Sequence, residues 1–248
     1  MQVLKVVLEG ITTSFRYPHF MQQVQPGFPM PPPATIYGHI ASALGECFDP
    51  DGVAFAYHFT AQGSTEDLEH IHVLSGASGK LPGSKIPKVV EGNVNPFSRH
   101  ILFRPQMVLY INRPDWESAF RMPCYPVVLG RSQDLCSYSD IRIVTLEQQE
   151  QVYFEHTLLP YGMATQTAVG SVVMMPRWLD YARHRHPTFA RYVILQRRVK
   201  STELLRFGDA PIGPYWSDPT APQINQIPLG LIFHTFTGDA YEAINLAS

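Results

Sequence analysis

The feature that most constrains the fold is a proline-led, nearly all-apolar segment close to the N-terminus. Three consecutive prolines, Pro31 to Pro33, interrupt whatever precedes them, because proline fixes φ and cannot donate a backbone hydrogen bond. Proline also suits the first position of a helix. The following segment has one narrow polar strip, formed by His39, Ser42 and Glu46. Since a helix that is apolar on almost every side is buried, we predict a buried helix around which the chain is organised.

Two glycines, Gly38 and Gly45, fall within this helical pattern. A glycine inside a helix costs about 0.5–1 kcal/mol relative to alanine, so each needs a packing reason. Close approach of the helix to a sheet supplies one. We therefore predict that the helix lies directly on a β-sheet.

The composition fits a chain with a sizeable core. Its 248 residues are 45% hydrophobic, enough for one large domain or a domain with a smaller appendage. No apolar run approaches the roughly 20 residues of a membrane span, and the N-terminal residues lack the pattern of a signal peptide. The three cysteines, Cys47, Cys124 and Cys136, show no CxxC spacing, which argues against disulfides or zinc. We expect a cytoplasmic protein with no membrane partner, metal or cofactor.

Charge is distributed unevenly along a chain whose net charge is −2. Every Asp, Glu, Lys or Arg from Glu46 to Glu69 is acidic, whereas Lys80 to Arg104 holds five basic residues against Glu91 alone. The segment from Arg177 to Arg206 holds eight basic residues and two acidic ones. Basic patches on a near-neutral chain predict a local site for a polyanion such as nucleic acid.

The order of elements in the first part of the chain is strand, helix, strand, strand, short helix, strand. This is the split βαβ, or ferredoxin-like, order that RNA-recognition domains also use. Residues 75–100 are rich in Gly, Pro, Ser, Lys and Asn, so we predict a long functional loop there. The predicted elements are strand 2–9, the helix after Pro33, strand 53–60, strand 101–111 interrupted at Pro105, helix 115–121, and strands 125–130 and 140–146.

The second part of the chain reads as a small, mostly β appendage. A boundary is plausible near residues 147–160, after which helix signals are few. Strand candidates lie at 171–175, 192–199 and 230–236, where β-branched and aromatic residues cluster.

Three motifs in the first part occur together, in order, in a known family. They are Ser14-Phe15-Arg16, the proline-led segment Thr35-Ile36-Tyr37-Gly38-His39-Ile40-Ala41-Ser42-Ala43-Leu44-Gly45, and Tyr125-Pro126-Val127-Val128-Leu129-Gly130-Arg131-Ser132-Gln133-Asp134-Leu135. The chain thereby resembles the CRISPR-associated family numbered five, a subunit of the Cascade surveillance complex, and is most similar to its type I-B form. The resemblance covers residues 1–146; the remainder matches only in general character.

The resemblance implies an α+β, ferredoxin-like domain of the RNA-recognition (RAMP) type over residues 1–146. It places a protruding thumb hairpin at about 75–101, between the second and third strands, and a mostly-β extension at 147–248. It implies a non-catalytic subunit that binds and caps the 5′ handle of the CRISPR RNA (crRNA). The implied partners are the backbone subunit (family seven), the large subunit (family eight) and, through the complex, target DNA.

The long basic loop is the first candidate RNA site. Small, flexible residues separate its lysines, so their ammonium groups can follow a bent phosphate backbone, with binding that weakens steeply as salt rises. The alternative is a solvated surface loop with incidental lysines. The RNA contacts predicted here are Lys80, Lys85, Lys88, Arg99, His100 and Arg104.

Two further candidate sites flank the helix in the sequence. We predict RNA contacts at Arg16 and Tyr17, because single-stranded RNA is held by aromatic and guanidinium stacking, whereas Phe15 and Phe20 are expected in the core. The turn after Gly130 presents Arg131 and Ser132, residue types that bind phosphate. The alternative at this turn is a structural pair between Arg131 and Asp134.

A nuclease is the main alternative to a binding subunit. Metal-free RNA cleavage needs a general base and a general acid, and the candidates are Tyr37, Lys88 and His100. Type I-C members of the family cut precursor RNA with an adjacent Lys-His pair, where this chain has Arg99-His100. Because arginine stays protonated, it cannot act as the base, and we expect binding without cleavage. A generic RNA-binding domain outside CRISPR is a third possibility.

The remaining basic and histidine-rich stretches carry weaker signals. The run from Arg177 to Arg206 suits RNA, an acidic partner or simple solvation. The pairs His70/His72 and His184/His186 lack a third ligand at a credible spacing, so we predict no metal site.

Overall fold

The structure is a computed structural model that describes residues 1–18, 24–165, 170–206 and 213–238. Phe20, which we expected in the core, lies outside these ranges. Within them, no helix combines the length and apolar character needed to cross a bilayer.

Thirteen principal elements position the candidate sites, and shorter strands and 3₁₀ turns connect them. The principal elements are β1 (Gln2–Gly10), α1 (Pro33–Leu44), β2 (Ala54–Thr60), β3 (Gly63–Gly76), β4 (Val90–Phe103), β5 (Gln106–Ile111), α2 (Glu117–Arg121), β6 (Cys136–Thr145), β7 (Thr157–Pro160), β8 (Gly170–Asp180), β9 (His186–Leu195), β10 (Tyr215–Ser217) and β11 (His234–Thr235). The short strands are Thr12–Thr13, Phe15–Arg16, Val24–Gln25, Gly27–Phe28, Glu147–Gln149, Tyr153–Phe154, Met163–Thr165, Val199–Lys200, Leu204–Arg206, Gln223–Ile224, Ile227–Pro228 and Gly230–Leu231. The 3₁₀ turns are Pro114–Trp116, Tyr181–Arg183 and Ser201–Glu203.

The central sheet confirms the predicted fold class. Its strand order is β6-β1-β5-β2-β11, and every neighbouring pair is antiparallel. Four of these strands, β1, β2, β5 and β6, come from the first part of the chain. Numbered in chain order, they lie in the sheet in the order 4-1-3-2, and α1 and α2 lie in the connections between them. This is the arrangement that the split βαβ pattern requires. The fold is α+β and ferredoxin-like, with β11 from the end of the described chain as a fifth strand.

Helix α1 packs on one face of this sheet. Ile36 and Ile40 are fully buried, and they share a core with Phe55 and Tyr57 of β2 and Leu109 of β5. The helix begins at Pro33 and ends at Leu44, as its proline entry predicts.

The two glycines of this segment have different roles from the one expected. A side chain at Gly38 would meet nothing within 4 Å, so close approach to the sheet does not explain that glycine. Gly45 lies just past the helix with φ of 84°, and its N–H donates to the Ala41 carbonyl. It is a left-handed C-terminal cap, a role that favours glycine.

The opposite face of the sheet is closed by residues near the end of the described chain. Leu231 packs there against Val3, Ala56 and Tyr110. An ion pair accompanies this contact: Lys5 Nζ lies 2.5 Å from Asp218 Oδ2, and both side chains are almost entirely buried. RNA-recognition domains stack bases on the corresponding sheet face, and in this chain that face is covered by residues of the same chain.

Two predicted segments in the first part are wrong. Residues 75–100 are not one loop, because β3 and β4 pair continuously from Gly63↔Phe103 to Gly76↔Val90. The polar composition of β4 concealed a strand that is exposed along most of its length. Residues 125–130 are irregular apart from a bridge at Val128, since Pro126 lacks a donor and the chain turns at Gly130.

The single strand expected at 101–111 is divided between two strands. Its first part ends β4, its second part is β5, and Arg104 lies between them with φ of 46°. The hairpin therefore leaves the central sheet from the end of β2 and returns into β5.

Residues after 146 form mostly β structure, as predicted. Strands β7, β9 and β8 make a three-stranded sheet, and the predicted strands at 171–175 and 192–199 overlap β8 and β9. Leu158, Met175 and Tyr192 join the core beneath α1. The division of the chain at residue 146 stays a prediction, and this shared core shows that the later residues complete the packing of the earlier ones.

Buried histidines predict a loss of stability in acid. Burial, partly opposed by a hydrogen bond to a backbone carbonyl, lowers the pKa of both His58 and His234 to about 4. As the pH falls from about 6.5 towards 4, the unfolded chain gains up to two protons at these two histidines that the folded chain does not bind. The free energy of unfolding should therefore fall by about 1.4 kcal/mol per proton per pH unit. Urea unfolding at pH 7, 6 and 5 measures this slope.

The matched control for that slope is His72→Gln, because His72 is exposed. This variant should keep the wild-type slope. A free energy of unfolding that does not change between pH 7 and pH 5 would contradict the assignment of His58 and His234.

Candidate nucleic-acid interface

The most prominent candidate feature is the hairpin formed by β3 and β4. Its two 14-residue arms span roughly 45 Å at about 3.3 Å per residue, and most of their side chains are exposed. The connecting segment is hydrogen-bonded internally, for example from Lys88 N to Gly79 O at 2.8 Å. The position agrees with the thumb that the family resemblance implies, although the arms begin earlier than residue 75.

The three lysines predicted to contact RNA all lie at the distal end of this hairpin. Lys80 and Lys85 are exposed. Lys88 Nζ donates to Glu91 Oε1 at 2.9 Å, and this hydrogen bond lowers the pKa of Glu91. Lys80 and Lys85 are therefore the more available cations, and Lys88 would exchange one anionic partner for another on binding phosphate.

Arg99 lies at the base of the hairpin and is buried by contact with Glu69. The Arg99 guanidinium donates to a Glu69 carboxylate oxygen, and the arginine side chain is 8% exposed. The other oxygen of Glu69 lies 3.8 Å from Arg131 NH1. Glu69 thus links two predicted RNA contacts, and RNA would have to compete with this carboxylate for both of them.

Arg131 also forms an ion pair with Asp134, which was the alternative to phosphate binding at this turn. Its Nε and NH2 groups donate to the two oxygens of Asp134 at 2.9 and 2.8 Å, and these bonds raise the pKa of Arg131. Thr12 Oγ1 donates to the same carboxylate at 3.0 Å. Ser132, next along the turn, is exposed.

The N-terminal candidates divide between core and surface. Phe15 is buried and packs edge-on against Phe59 at 5.5 Å, as predicted. Arg16 is exposed. Tyr17 is half-buried, with its ring 4.6 Å from the ring of Phe28. Arg16 is therefore the more accessible of the two predicted contacts.

Hydrogen bonds hold these separate segments together at the hairpin base. Ser14 Oγ donates to the His100 carbonyl at 2.7 Å, and Thr13 Oγ1 donates to the Leu129 carbonyl at 2.5 Å. Gly130 fits tightly here, since a side chain would lie 2.7 Å from the Ser14 carbonyl. The predicted RNA contacts therefore fall into two groups, one at the base of the hairpin and one, the three lysines, at its tip. The group at the base consists of Arg16, Tyr17, Arg99, His100, Arg104, Arg131 and Ser132.

Sequence reasoning missed Glu69, which organises this base. Glu69 belongs to the acidic stretch that begins at Glu46, and it was not among the predicted site residues. The only signal that could have found it is the register of β3 against β4, which places Glu69 two positions along β3 from Asp67, the cross-strand partner of Arg99, and so on the same face of the hairpin.

The candidate catalytic side chains are engaged in different ways. Tyr37 is buried, its hydroxyl donates to the Phe48 carbonyl at 2.7 Å, and burial raises its pKa to about 12. Lys88 lies at the hairpin tip and His100 at the hairpin base. Among the described residues, no group of three His, Cys, Asp or Glu side chains is arranged to hold a metal ion.

The basic run from Arg177 to Arg206 has structural and exposed members. Arg177 is buried and donates to the Thr235 and Gly238 carbonyls at 2.9 and 2.6 Å. Arg198 pairs with Glu155 at 2.8 Å. The exposed cations include Arg183 and Arg185 in the turn between β8 and β9.

Comparisons with known proteins identify the fold. No protein-family model matches this sequence, and no curated protein matches it. A solved CRISPR protein from Archaeoglobus fulgidus has a similar structure, with a TM-score of 0.51 and 11% identity over 94% of this chain and 99% of that chain. A structure described as a CRISPR RNA-guided surveillance complex gives a TM-score of 0.49 and 15% identity over 82% of this chain and 91% of that one. At 11% identity, the likeness to the Archaeoglobus fulgidus protein shows the fold alone, and the α+β, ferredoxin-like architecture of this chain is one that a CRISPR protein also has.

Proposed function

We propose that the chain is a non-catalytic, crRNA-binding subunit of a type I CRISPR Cascade complex, similar to the type I-B form of the family numbered five. In this role it binds and caps the 5′ handle of the crRNA. It joins the backbone subunit (family seven) to the large subunit (family eight), and it meets target DNA through the complex. The cytoplasm is the expected compartment.

The observation that carries the proposal is the hairpin with lysines at its tip and a polar cluster at its base. It protrudes from a ferredoxin-like sheet whose other face is closed by residues 215–233. An exposed arm with cations separated by small residues suits the bent backbone of single-stranded RNA. The fold similarity to a CRISPR protein supports the same class of function.

The alternative is a metal-independent precursor-crRNA endonuclease. Arg99 takes the place of a lysine next to His100, and its guanidinium is engaged by Glu69. The Tyr37 hydroxyl is hydrogen-bonded to a backbone carbonyl inside the protein. Both observations support binding over cleavage.

Incubation of the purified chain with repeat RNA in the absence of metal separates the two functions. We expect binding without cleavage, and preference for the handle sequence over unrelated single strands. Specific cleavage that is lost in His100→Ala would contradict the non-catalytic assignment. Equal affinity for all single strands would instead indicate a generic RNA-binding domain.

A further inference from the structure

A cavity of about 320 Å³ opens beside the hairpin base, where the first and second parts of the chain meet. Its apolar lining includes Met30, Phe59 and Leu102, all of which are buried. Polar residues from both parts of the chain complete the lining: Thr60, Ser64, His100, His156 and Gln196. None of them belongs to the buried ion pairs already described.

The size and lining of this cavity restrict its ligand. Pockets for drug-sized molecules span about 300–1,000 Å³, so this one lies at the small end and admits a compact ring system. An apolar floor with a few convergent polar groups suits a flat heterocycle that forms hydrogen bonds at its edge.

The polar groups around the cavity are available to a ligand. Among the residues that the structure describes, the ring nitrogens of His100 and the amide of Gln196 form no hydrogen bond, and His156 Nε2 lies 3.6 Å from Glu155. A neutral imidazole offers one donor and one acceptor, and a glutamine amide offers both. Together they match the mixed donor and acceptor edges of nucleobases.

The backbone fixes the two histidines beside the cavity. His156 has φ of 52°, and its carbonyl accepts a hydrogen bond from Phe59 N at 2.8 Å. Gly27 leaves room for the other ring, since a side chain there would lie 3.2 Å from His100 Nδ1. These contacts place the His156 backbone at the cavity and leave space for the His100 ring beside it.

We propose that this cavity binds one unstacked nucleobase of the RNA, hydrogen-bonded at its edge by His156 and Gln196. The proposal rests on the proposed function, because the base belongs to the same bound strand. It adds a base-reading site in which the second part of the chain contributes the specificity.

The test is an abasic scan of handle RNA with the full chain. Each nucleotide in turn is replaced by an abasic one, and affinity is measured at fixed salt. One position should weaken binding about tenfold, the magnitude expected for loss of one or two hydrogen bonds to the base. Gln196→Leu and His156→Asn should abolish that position-specific penalty; asparagine tolerates the positive φ at this site.

Two glycines of β3 offer a blocking variant with a matched control. Gly63 lines the cavity, and Gly76 lies at the far end of the same strand. A Cβ atom added at either glycine would have no other atom within 4 Å. Gly63→Leu should remove the abasic penalty, and Gly76→Leu should retain it.

The outcomes separate this proposal from the function on which it rests. RNA binding with no sensitive position, or with the same penalty in Gly63→Leu as in wild type, overturns the base site and leaves the RNA-binding subunit intact. Failure of the wild-type chain to bind handle RNA overturns both.

Discussion

Replacement of Lys5 by methionine should lower the free energy of unfolding by about 3–5 kcal/mol, the cost typical of removing one partner from a buried ion pair. The variant would leave the Asp218 carboxylate, whose side chain is fully buried, without its cation. Hydrogen bonds from Tyr110 and Thr220 to that carboxylate would remain, but neither neutralises its charge. Urea unfolding at pH 7 measures the loss.

Two variants make this prediction specific. Lys5→Met/Asp218→Asn should recover most of the stability, because asparagine is neutral and still offers an oxygen to the Tyr110 hydroxyl. Arg113→Met, which breaks an exposed pair with Asp115, should cost less than about 1 kcal/mol. If Lys5→Met lowered the free energy of unfolding no more than Arg113→Met does, the buried ion pair would not be what stabilises the contact of residues 215–233 with the sheet.

Replacement of Lys80, Lys85 and Lys88 together by alanine should weaken binding of single-stranded RNA by about 10- to 100-fold near 0.1 M salt. Each ammonium that neutralises a phosphate releases counterions, so the slope of log affinity against log salt should fall by about 2. Titrations at four or five salt concentrations give both quantities. Because Lys88 already pairs with Glu91, Lys88→Ala alone should have the smallest effect of the three.

The control removes the same total charge elsewhere on the chain. Arg113, Arg121 and Arg142 pair with Asp115, Glu117 and Asp140, outside the hairpin. Their triple alanine variant should leave the salt slope nearly unchanged. If the lysine variant also kept the wild-type slope, the hairpin tip would be a solvated surface and not an RNA contact.

The sequence predicted the elements whose signals are local. The prolines at 31–33 define the start of α1, and the order of strands and helices was sufficient for the ferredoxin-like sheet. The composition after residue 75 predicted only a loop, and the protruding hairpin there was implied by the family resemblance. Its strand β4 was missed, because pairing with β3 and not apolar alternation holds that strand in place.

The parts that the sequence did not predict depend on contacts between distant residues. Nothing near Arg99 in the sequence indicates that Glu69 neutralises it, and nothing near Lys5 indicates Asp218. The small cavity likewise combines His100 with His156 and Gln196, which come together only after the second part packs on the first. Local patterns located most of the candidate contacts, and tertiary packing determines which of them stay free.

The closed face of the sheet has a consequence for how the chain folds during synthesis. Lys5 and Asp218 are 213 positions apart, so β1 is synthesised long before the residues that cover it. Contacts of such long range are slow to form, and a nascent chain would present the apolar side of Ala56 and Tyr110 until residues 215–233 leave the ribosome. This face of the sheet is therefore open to unintended apolar contacts while the intervening residues are made.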